Sequence, residues 1–390
     1  MTTICIIAQS HYSTDPRIRR MVRALIKAAY SVDVICLRTS FEPKRQVMDG
    51  ANLYGILLDR RRSSKARYIF EYTTFTVLAA WRVLVQMIKH RYRVVQVCNI
   101  PDVLILAALL PKALGARILF DAHDCTPEAL MLQQNLSTNN ILVRVAILIE
   151  QIALSIANKV ITASDVFRKI FVSRGANPNK ISVIMNFPDH HFFPRKPDLS
   201  TRSHNGEFVL VYAGTVAPRY GLETAIRALP LLSHIQNLRL WIIGPGKHRS
   251  ELFRLASDLH VQRQVIFHDP VPHDRIREIY HKSDVGICPS KAGLFGRLGF
   301  STKVAEYMAC GLPSIVSRTD TFQHFYTDSE VEFCEPDDPI SFADCVQRIY
   351  QNPDYANNLV KNGLKKAKIL NWEMECKRYL EIVESLANKR

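Results

Sequence analysis

Strand-like apolar runs alternate with helix-period segments along almost the whole chain, and that alternation leaves few folds open. The runs at Thr3–Gln9, Val32–Leu37, Val94–Cys98, Arg117–Asp121 and Lys159–Thr162 are apolar on both faces. Between them, helical spacing covers Pro16–Ala28, Ile69–Lys89, Pro101–Leu114 and Ile141–Asn158. Strands without a polar face need cover on both sides, and the intervening helices supply it. The predicted class is therefore α/β, with parallel, doubly wound sheets.

The pattern lapses over residues 186–207, NFPDHHFFPRKPDLSTRSHNGE, which has three prolines and no periodicity. It then restarts with strands at Phe208–Ala213, Leu238–Ile243, Val265–His268, Val285–Cys288 and Ser314–Ser317, separated and followed by helical segments that end near 372–386. A chain of 390 residues exceeds one ordinary core. The expected organisation is a domain over 1–186, a linker over 187–207, a second domain over 208–370 and a last helical segment over 371–390. Two such domains favour a nucleotide or phosphorylated ligand at the strand ends.

The nine cysteines include no CxxC spacing, and Cys5, Cys36 and Cys288 sit inside apolar runs, the usage of a reducing compartment. No Cys/His cluster with metal-ligand spacing occurs. The N-terminus enters the first strand without a basic leader, and the longest apolar candidate, 141–156, is interrupted by Arg144 and Glu150. A cytoplasmic protein is expected, with contact at the inner face of the plasma membrane as a possibility of charge. Of the net charge of +15, residues 1–100 carry 17 bases against 6 acids, which is +11. Arg60, Arg61, Arg62, Lys65 and Arg67 crowd together ahead of a segment holding Phe70, Tyr72, Phe75 and Trp81. Bases beside aromatics suit an anionic membrane surface, or else a solvated loop leading into a helix. No nucleic-acid module accompanies them, so a nucleic-acid partner is not expected.

Three stretches carry candidate chemistry. FSTKVAEYMACGLPSIVSR, 300–318, reads as a short helix bearing Lys303 and Glu306, stopped by Gly311 and Pro313 before a buried strand. An ionised carboxylate has two acceptor oxygens and suits a diol, although Glu306 could equally pair with Lys303 one turn away. In VYAGTVAPRYGLETAI, 211–226, a strand ends at Gly214 and a helix begins near Gly221. Glycine there admits a phosphate to the backbone, and Arg219 could bind a diphosphate or point to solvent. LFDAHDCTPEAL, 119–130, puts His123 and Asp124 just past a strand, where a histidine can donate to a phosphate or sugar hydroxyl. IIGPGKHRSEL and FHDPV follow two further strands and are weaker signals.

In order and spacing these stretches, with SHYSTDPRIRRMVRAL (10–25) and VCNIPDVLILAALLPKALGARILFDAHDCTPE, resemble the family-4 retaining glycosyltransferases of the GT-B fold, over nearly the whole chain. The resemblance implies transfer of a sugar from a nucleotide diphosphate sugar to a glycan or lipid-linked acceptor, without an obligatory metal. It implies catalytic roles for His123, Arg219 and Lys303. It also implies a donor site of Gly214, Thr215, Arg219, Gly244, Val271, Gly296, Arg297, Leu298, Lys303 and Glu306, with Glu306 on the ribose. The last helix would pack back on the first domain. The chain departs from the pattern at Leu298, where the earlier glutamate of the family's pair would fall, and at Tyr220, where many members carry a lysine. Two other readings share the architecture: a non-catalytic subunit supporting a partner transferase, and a nucleotide-sugar epimerase.

Overall fold

A computed structural model describes residues 2–59, 65–134, 136–189, 206–272, 275–293 and 298–388. The chain divides into two compact units, one of residues 1–186 with 375–390 and one of residues 187–374.

The first unit is built on an eight-stranded sheet of order β3-β4-β2-β1-β5-β6-β7-β8. Its strands are β1 (Thr3–His11), β2 (Ser31–Arg38), β3 (Arg45–Met48), β4 (Ala51–Leu57), β5 (Tyr92–Cys98), β6 (Arg117–Ala122), β7 (Lys159–Thr162) and β8 (Ile181–Val183). All neighbouring pairs are parallel except β3 with β4, a hairpin closed at Asp49–Gly50 with φ of 52° and 83°. Two successive left-handed residues are what a tight hairpin demands, and Asp-Gly supplies them. Helices α1 (Pro16–Lys27), α2 (Lys65–Met87), α3 (Leu109–Ala113), α4 (Thr126–Gln134), α5 (Ile141–Ile156) and α6 (Asp165–Ser173) connect the strands. Asp15 caps α1 by accepting from the Ile18 amide at 3.2 Å, with Pro16 in the first position.

The helix expected over 101–114 is a 3-10 turn over Asp102–Ala108 followed by the five residues of α3. Pro111 has no amide hydrogen to give Ala107, so a single α-helix cannot run through it. In α3 it stands in the first turn, where the bond is not needed.

The second unit holds a six-stranded, wholly parallel sheet of order β11-β10-β9-β12-β13-β14. Its strands are β9 (Phe208–Ala213), β10 (Leu238–Ile243), β11 (Val265–His268), β12 (Val285–Cys288), β13 (Ser314–Ser317) and β14 (Glu332–Cys334). Its helices are α7 (Leu222–Ala228), α8 (Arg249–Asp258), α9 (Ile276–His281), α10 (Thr302–Cys310), α11 (Asp320–Phe325), α12 (Pro339–Gln351) and α13 (Pro353–Ala367). Along β9, Leu210 and Tyr212 join one apolar cluster while Val211 and Ala213 join another. That alternation with every position buried is the signature of a sheet covered on both faces. A last helix, α14 (Trp372–Ala387), starts in the second unit and finishes in the first. There the Tyr379 hydroxyl donates to Gln96 Oε1 at 2.6 Å and Glu375 accepts from the Met185 amide at 2.9 Å.

Candidate functional site

In each unit the strand order reverses beside its first strand, and polar side chains collect at that point. In the second unit the reversal falls between β9 and β12. The loop leaving β9 is zipped to the loop leaving β10: the Gly214 amide donates to the Ile243 carbonyl and the Val216 amide to the Pro245 carbonyl, each at 2.8 Å. A Cβ on Gly244 would stand 2.2 Å from the Gly214 carbonyl oxygen, so glycine is what lets the two loops meet. A Cβ on Gly214 would stand 2.4 Å from Lys303 Cε. The vacancy that the sequence reading gave to a phosphate is thus filled by the lysine stem.

Lys303 reaches that place from the first turn of α10. Its ammonium lies 5.0 Å from the Tyr212 ring centre and 4.9 Å from that of Tyr220, and the Arg219 guanidinium lies 4.8 Å from the same Tyr220 ring. Ring faces attract cations, so the two tyrosines gather two positive groups at one strand end. Tyr212 is fixed in turn by donating to the Thr215 carbonyl at 2.7 Å. Two positive groups held on one ring make the place receptive to a diphosphate. The start of α10 adds to this. Ser301 makes no side-chain cap there, and its buried hydroxyl has no hydrogen-bond partner. The first amides of a helix left uncapped favour an anion.

One turn on, Glu306 is 7% exposed. Its Oε2 accepts from the Tyr280 hydroxyl at 2.9 Å and its Oε1 from the Thr302 hydroxyl at 3.4 Å. Burial and the Glu306 charge hold the Tyr280 phenol protonated far above its usual range, so it acts as the donor. A carboxylate offers about four acceptor positions, so these bonds and a ribose diol are compatible. The helix itself is seated by Tyr307, whose ring lies where a Cβ on Gly286 would come within 2.4 Å, and whose hydroxyl donates to the Val211 carbonyl at 3.2 Å. It ends at Gly311 (φ 70°), with the Leu312 amide returning to the Tyr307 carbonyl at 2.9 Å.

Thr215 is exposed, and Val271 lies in the loop after β11, partly buried against the cluster that includes Ile276 and Tyr280. Leu298 is 8% exposed and apolar, so it brings no hydrogen-bonding group where the family's earlier glutamate would stand. Gly296 and Arg297 lie outside the described residues, as do Arg60, Arg61 and Arg62 and the side chain of Lys65. Arg67 donates to Glu71 Oε1 at 2.8 Å and to the Asp59 carbonyl at 3.1 Å.

In the first unit the reversal between β1 and β5 opens a recess of about 240 Å³, lined by Gln9, Ser10, Asp15, Arg17, Asn99, His123 and neighbouring backbone. Arg17 is ion-paired with Asp121, both largely buried. His123 stands 3.9 Å from Asp121 Oδ1 and 3.7 Å from Asp124 Oδ2. Burial first, then the Arg17 charge, drives its pKa well below the ordinary imidazole range, so it is neutral at pH 7. It can donate or accept one hydrogen bond but brings no charge. Asn99 clamps the loop that carries it. The Asn99 amide donates to the Asp124 carbonyl at 2.7 Å and to Asp102 Oδ1 at 2.9 Å, and its Oδ1 accepts from the Asp124 amide at 3.3 Å. Arg17, Asn99, Asp102 and Tyr280 escaped the sequence reading. An aspartate in an apolar strand, as in FDAHD, was the available signal that a buried cation must exist.

Paired doubly wound units, with cations gathered at one strand-end loop, define the GT-B class of α/β proteins. Residues 14–186 match the glycosyl transferase 4-like domain, and residues 198–366 match the glycosyl transferases group 1 family. The chain belongs to these GT-B glycosyltransferases. It is 24% identical over 254 residues to a D-inositol 3-phosphate glycosyltransferase of Thermomonospora curvata, covering 60% of this chain and 58% of that protein. It is 33% identical over 115 residues to a GDP-mannose-dependent alpha-(1-6)-phosphatidylinositol monomannoside mannosyltransferase of Mycolicibacterium smegmatis, covering 28% of this chain and 30% of that protein. The match thus spans little more than half the length of the first of these relatives. The fold is similar to sucrose-phosphate synthase from Thermosynechococcus elongatus (TM-score 0.80, 19% identity, 99% of each chain). It is also similar to Anabaena HepE in complex with UDP-glucose (TM-score 0.74, 15% identity, 99% of this chain and 100% of that one).

Proposed function

We propose that this chain transfers a glycosyl group from a nucleoside diphosphate sugar to a hydroxyl of a glycan or lipid-linked acceptor, in the assembly of a polysaccharide. The acceptor oxygen forms the new bond to the anomeric carbon, the bond from that carbon to the diphosphate breaks, and the acceptor proton is released. The observation that carries this reading is the convergence of Lys303 and Arg219 on Tyr220 beside the start of α10, one turn from the buried Glu306. Negative charge grows on the departing diphosphate, and cations already held in place stabilise it without reorganising. Glu306 takes the ribose diol. The loops after β9 and β10, which Gly214 and Gly244 allow to meet, border the phosphates near Thr215, and backbone near Val271 meets the base. Gly296, Arg297 and Leu298 are assigned to the transferred sugar. Neutral His123 gives a hydrogen bond to the sugar or its phosphate. Retention of configuration and independence from metal follow the family.

Relatives named for GDP-mannose and a neighbour holding UDP-glucose support a nucleotide sugar donor without choosing the base. No described helix is long and apolar enough to cross a membrane. The protein is read as working peripherally at the cytoplasmic face of a membrane that holds the acceptor, with Arg60, Arg61, Arg62, Lys65 and Arg67 near anionic headgroups.

A thermal-shift panel of nucleotide sugars, followed by turnover with the one that stabilises most, tests the reading. Glu306→Ala should weaken binding of that donor by about 1.5–3 kcal/mol, roughly ten- to a hundredfold, while the unliganded protein still folds but melts lower, because the buried Tyr280 hydroxyl loses its acceptor. Unchanged donor affinity in that variant would remove Glu306 from the site. Absence of any donor shift across the panel would sink the assignment.

A further inference from the structure

The first unit presents an apolar surface that its own core does not explain. Helix α2 buries Phe75, Ala79 and Val83 against the sheet. On its opposite side, Phe70, Val77 and Trp81 fall on one line along the axis, continued by Ile88 just past the helix, and all four are exposed. Trp81 is 64% exposed and Ile88 82%. Helix α5 repeats the arrangement, with Val143, Ala146 and Ala153 inward and Ile141, Val145, Leu148 and Ile152 outward. Between them, the 102–108 turn packs against both helices, and the α3 that extends it exposes Leu109 and Leu110, with Leu114 following. Single exposed apolar residues are ordinary, but three adjoining elements each with an outward apolar line are not.

The charge on these elements sorts in one direction. Every acid on α2, the 102–108 turn, α3 and α5 is buried: Glu71 at 0%, Asp102 at 2% and Glu150 at 1% exposure. Their bases reach the surface, Arg144 exposed and Arg82 partly so, while Lys112 gives its ammonium to the Ile156 carbonyl, and Lys89, His90 and Arg91 follow α2 as an exposed run. An outward face with apolar lines, a tryptophan and bases but no outward acid matches a bilayer interface bearing anionic headgroups. A soluble partner or a second copy would meet no such one-signed requirement.

We propose that the outer surface of α2, α3 with its preceding turn, and α5 docks on an anionic phospholipid bilayer, Trp81 and Leu148 entering the headgroup region and the bases flanking them. The proposal gives a surface to the membrane-held acceptor of the reading above and rests on it for its purpose. Of the bases at 60–67 placed near the headgroups above, Arg67 brings less charge than the others, since its guanidinium is also paired with the buried Glu71.

The test uses the full chain and vesicles without donor or acceptor, made of phosphatidylcholine alone or with phosphatidylglycerol. The protein should float with the anionic vesicles, much less with the neutral ones, and detach as salt rises. Trp81→Gln with Leu148→Gln should lower the anionic partition about tenfold or more. Arg144→Glu, which leaves the apolar lines intact, should lower it several-fold. Phe41→Gln, on the 98% exposed Phe41 between β2 and β3 and so on none of these three elements, should leave it unchanged. Equal partition of the wild-type protein to both vesicle types, or of the double variant and the wild type, overturns the proposal. So does a dimer in sedimentation velocity that the double variant dissolves, with no flotation. A donor-induced thermal shift is read in the same samples. Its loss with flotation intact strikes only the transferase reading, and its retention without flotation strikes only this surface.

Discussion

In the first unit the charges are sunk: Arg17 closes on Asp121 at a strand end, and Arg174, just past α6, holds Glu150 of α5 at 2.8 Å and Glu128 of α4, all in partly or wholly desolvated surroundings. At the strand ends of the second unit, Lys303 and Arg219 rest on the faces of two tyrosines and are only half buried. Buried ion pairs cost desolvation and fix geometry, whereas a cation on a ring keeps its charge available to a third party. The first unit therefore reads as a rigid holder of neutral hydrogen-bonding groups, and the second as the carrier of positive charge. Two of the first unit's buried acids, Asp102 and Glu150, are pushed up by desolvation to about 6 and about 7.

The largest effect should come from removing the cation. Lys303→Met keeps the stem over Tyr212 and Tyr220 but deletes the charge, and should lower kcat about 10²–10³-fold in steady-state turnover. A loss below tenfold would break the comparison, because the second unit's charge would then not act on the leaving group. A smaller effect is expected from loosening the first unit's clamp. Asn99→Ala frees the Asp124 backbone and should cost about tenfold in kcat, with the donor-induced thermal shift unchanged. If donor binding fell in step with kcat, Asn99 would be serving the donor and not the His123 loop.

The smallest effect is on stability against pH. Desolvation pushes Asp102 from 3.8 up to about 6 and Glu150 from 4.5 up to about 7. The folded chain then holds protons that the unfolded chain has released. Their contribution is full below the unfolded values, is lost as pH rises, and is gone above about 7. His123 works the other way: its depressed value costs stability as pH falls below 6.5. Melting temperature followed against pH should show Asp102→Asn flattening the decline between 3.8 and about 6. An unchanged slope would mean that Asp102 does not keep its proton in the folded state.

Much of this was legible from residue order. Five strands of the second unit, from Phe208–Ala213 to Ser314–Ser317, lie where the apolar runs predict, because strands buried on both faces leave no ambiguity of period. Helix α10 stops where its glycine and proline indicate. The β3–β4 hairpin was passed over although Asp49-Gly50 is a strong turn signal, since β3 alternates only weakly and lies at an edge. What order alone did not disclose are contacts between distant positions. Arg17 meets Asp121 across 104 residues and Tyr280 meets Glu306 across 26. Tyr220, a departure from the family pattern when read singly, becomes intelligible only when Lys303 is found upon it.

Because the first unit draws on residues 1–186 and again on 375–390, its hydrophobic and polar seams close only around a segment translated after the whole second unit. While the ribosome is still copying the intervening 188 positions, Gln96 and the Met185 amide wait for Tyr379 and Glu375. The half that emerges first is therefore the half that finishes last. A nascent chain halted before α14 would leave the exit tunnel with its second unit folded and its first unit unsealed.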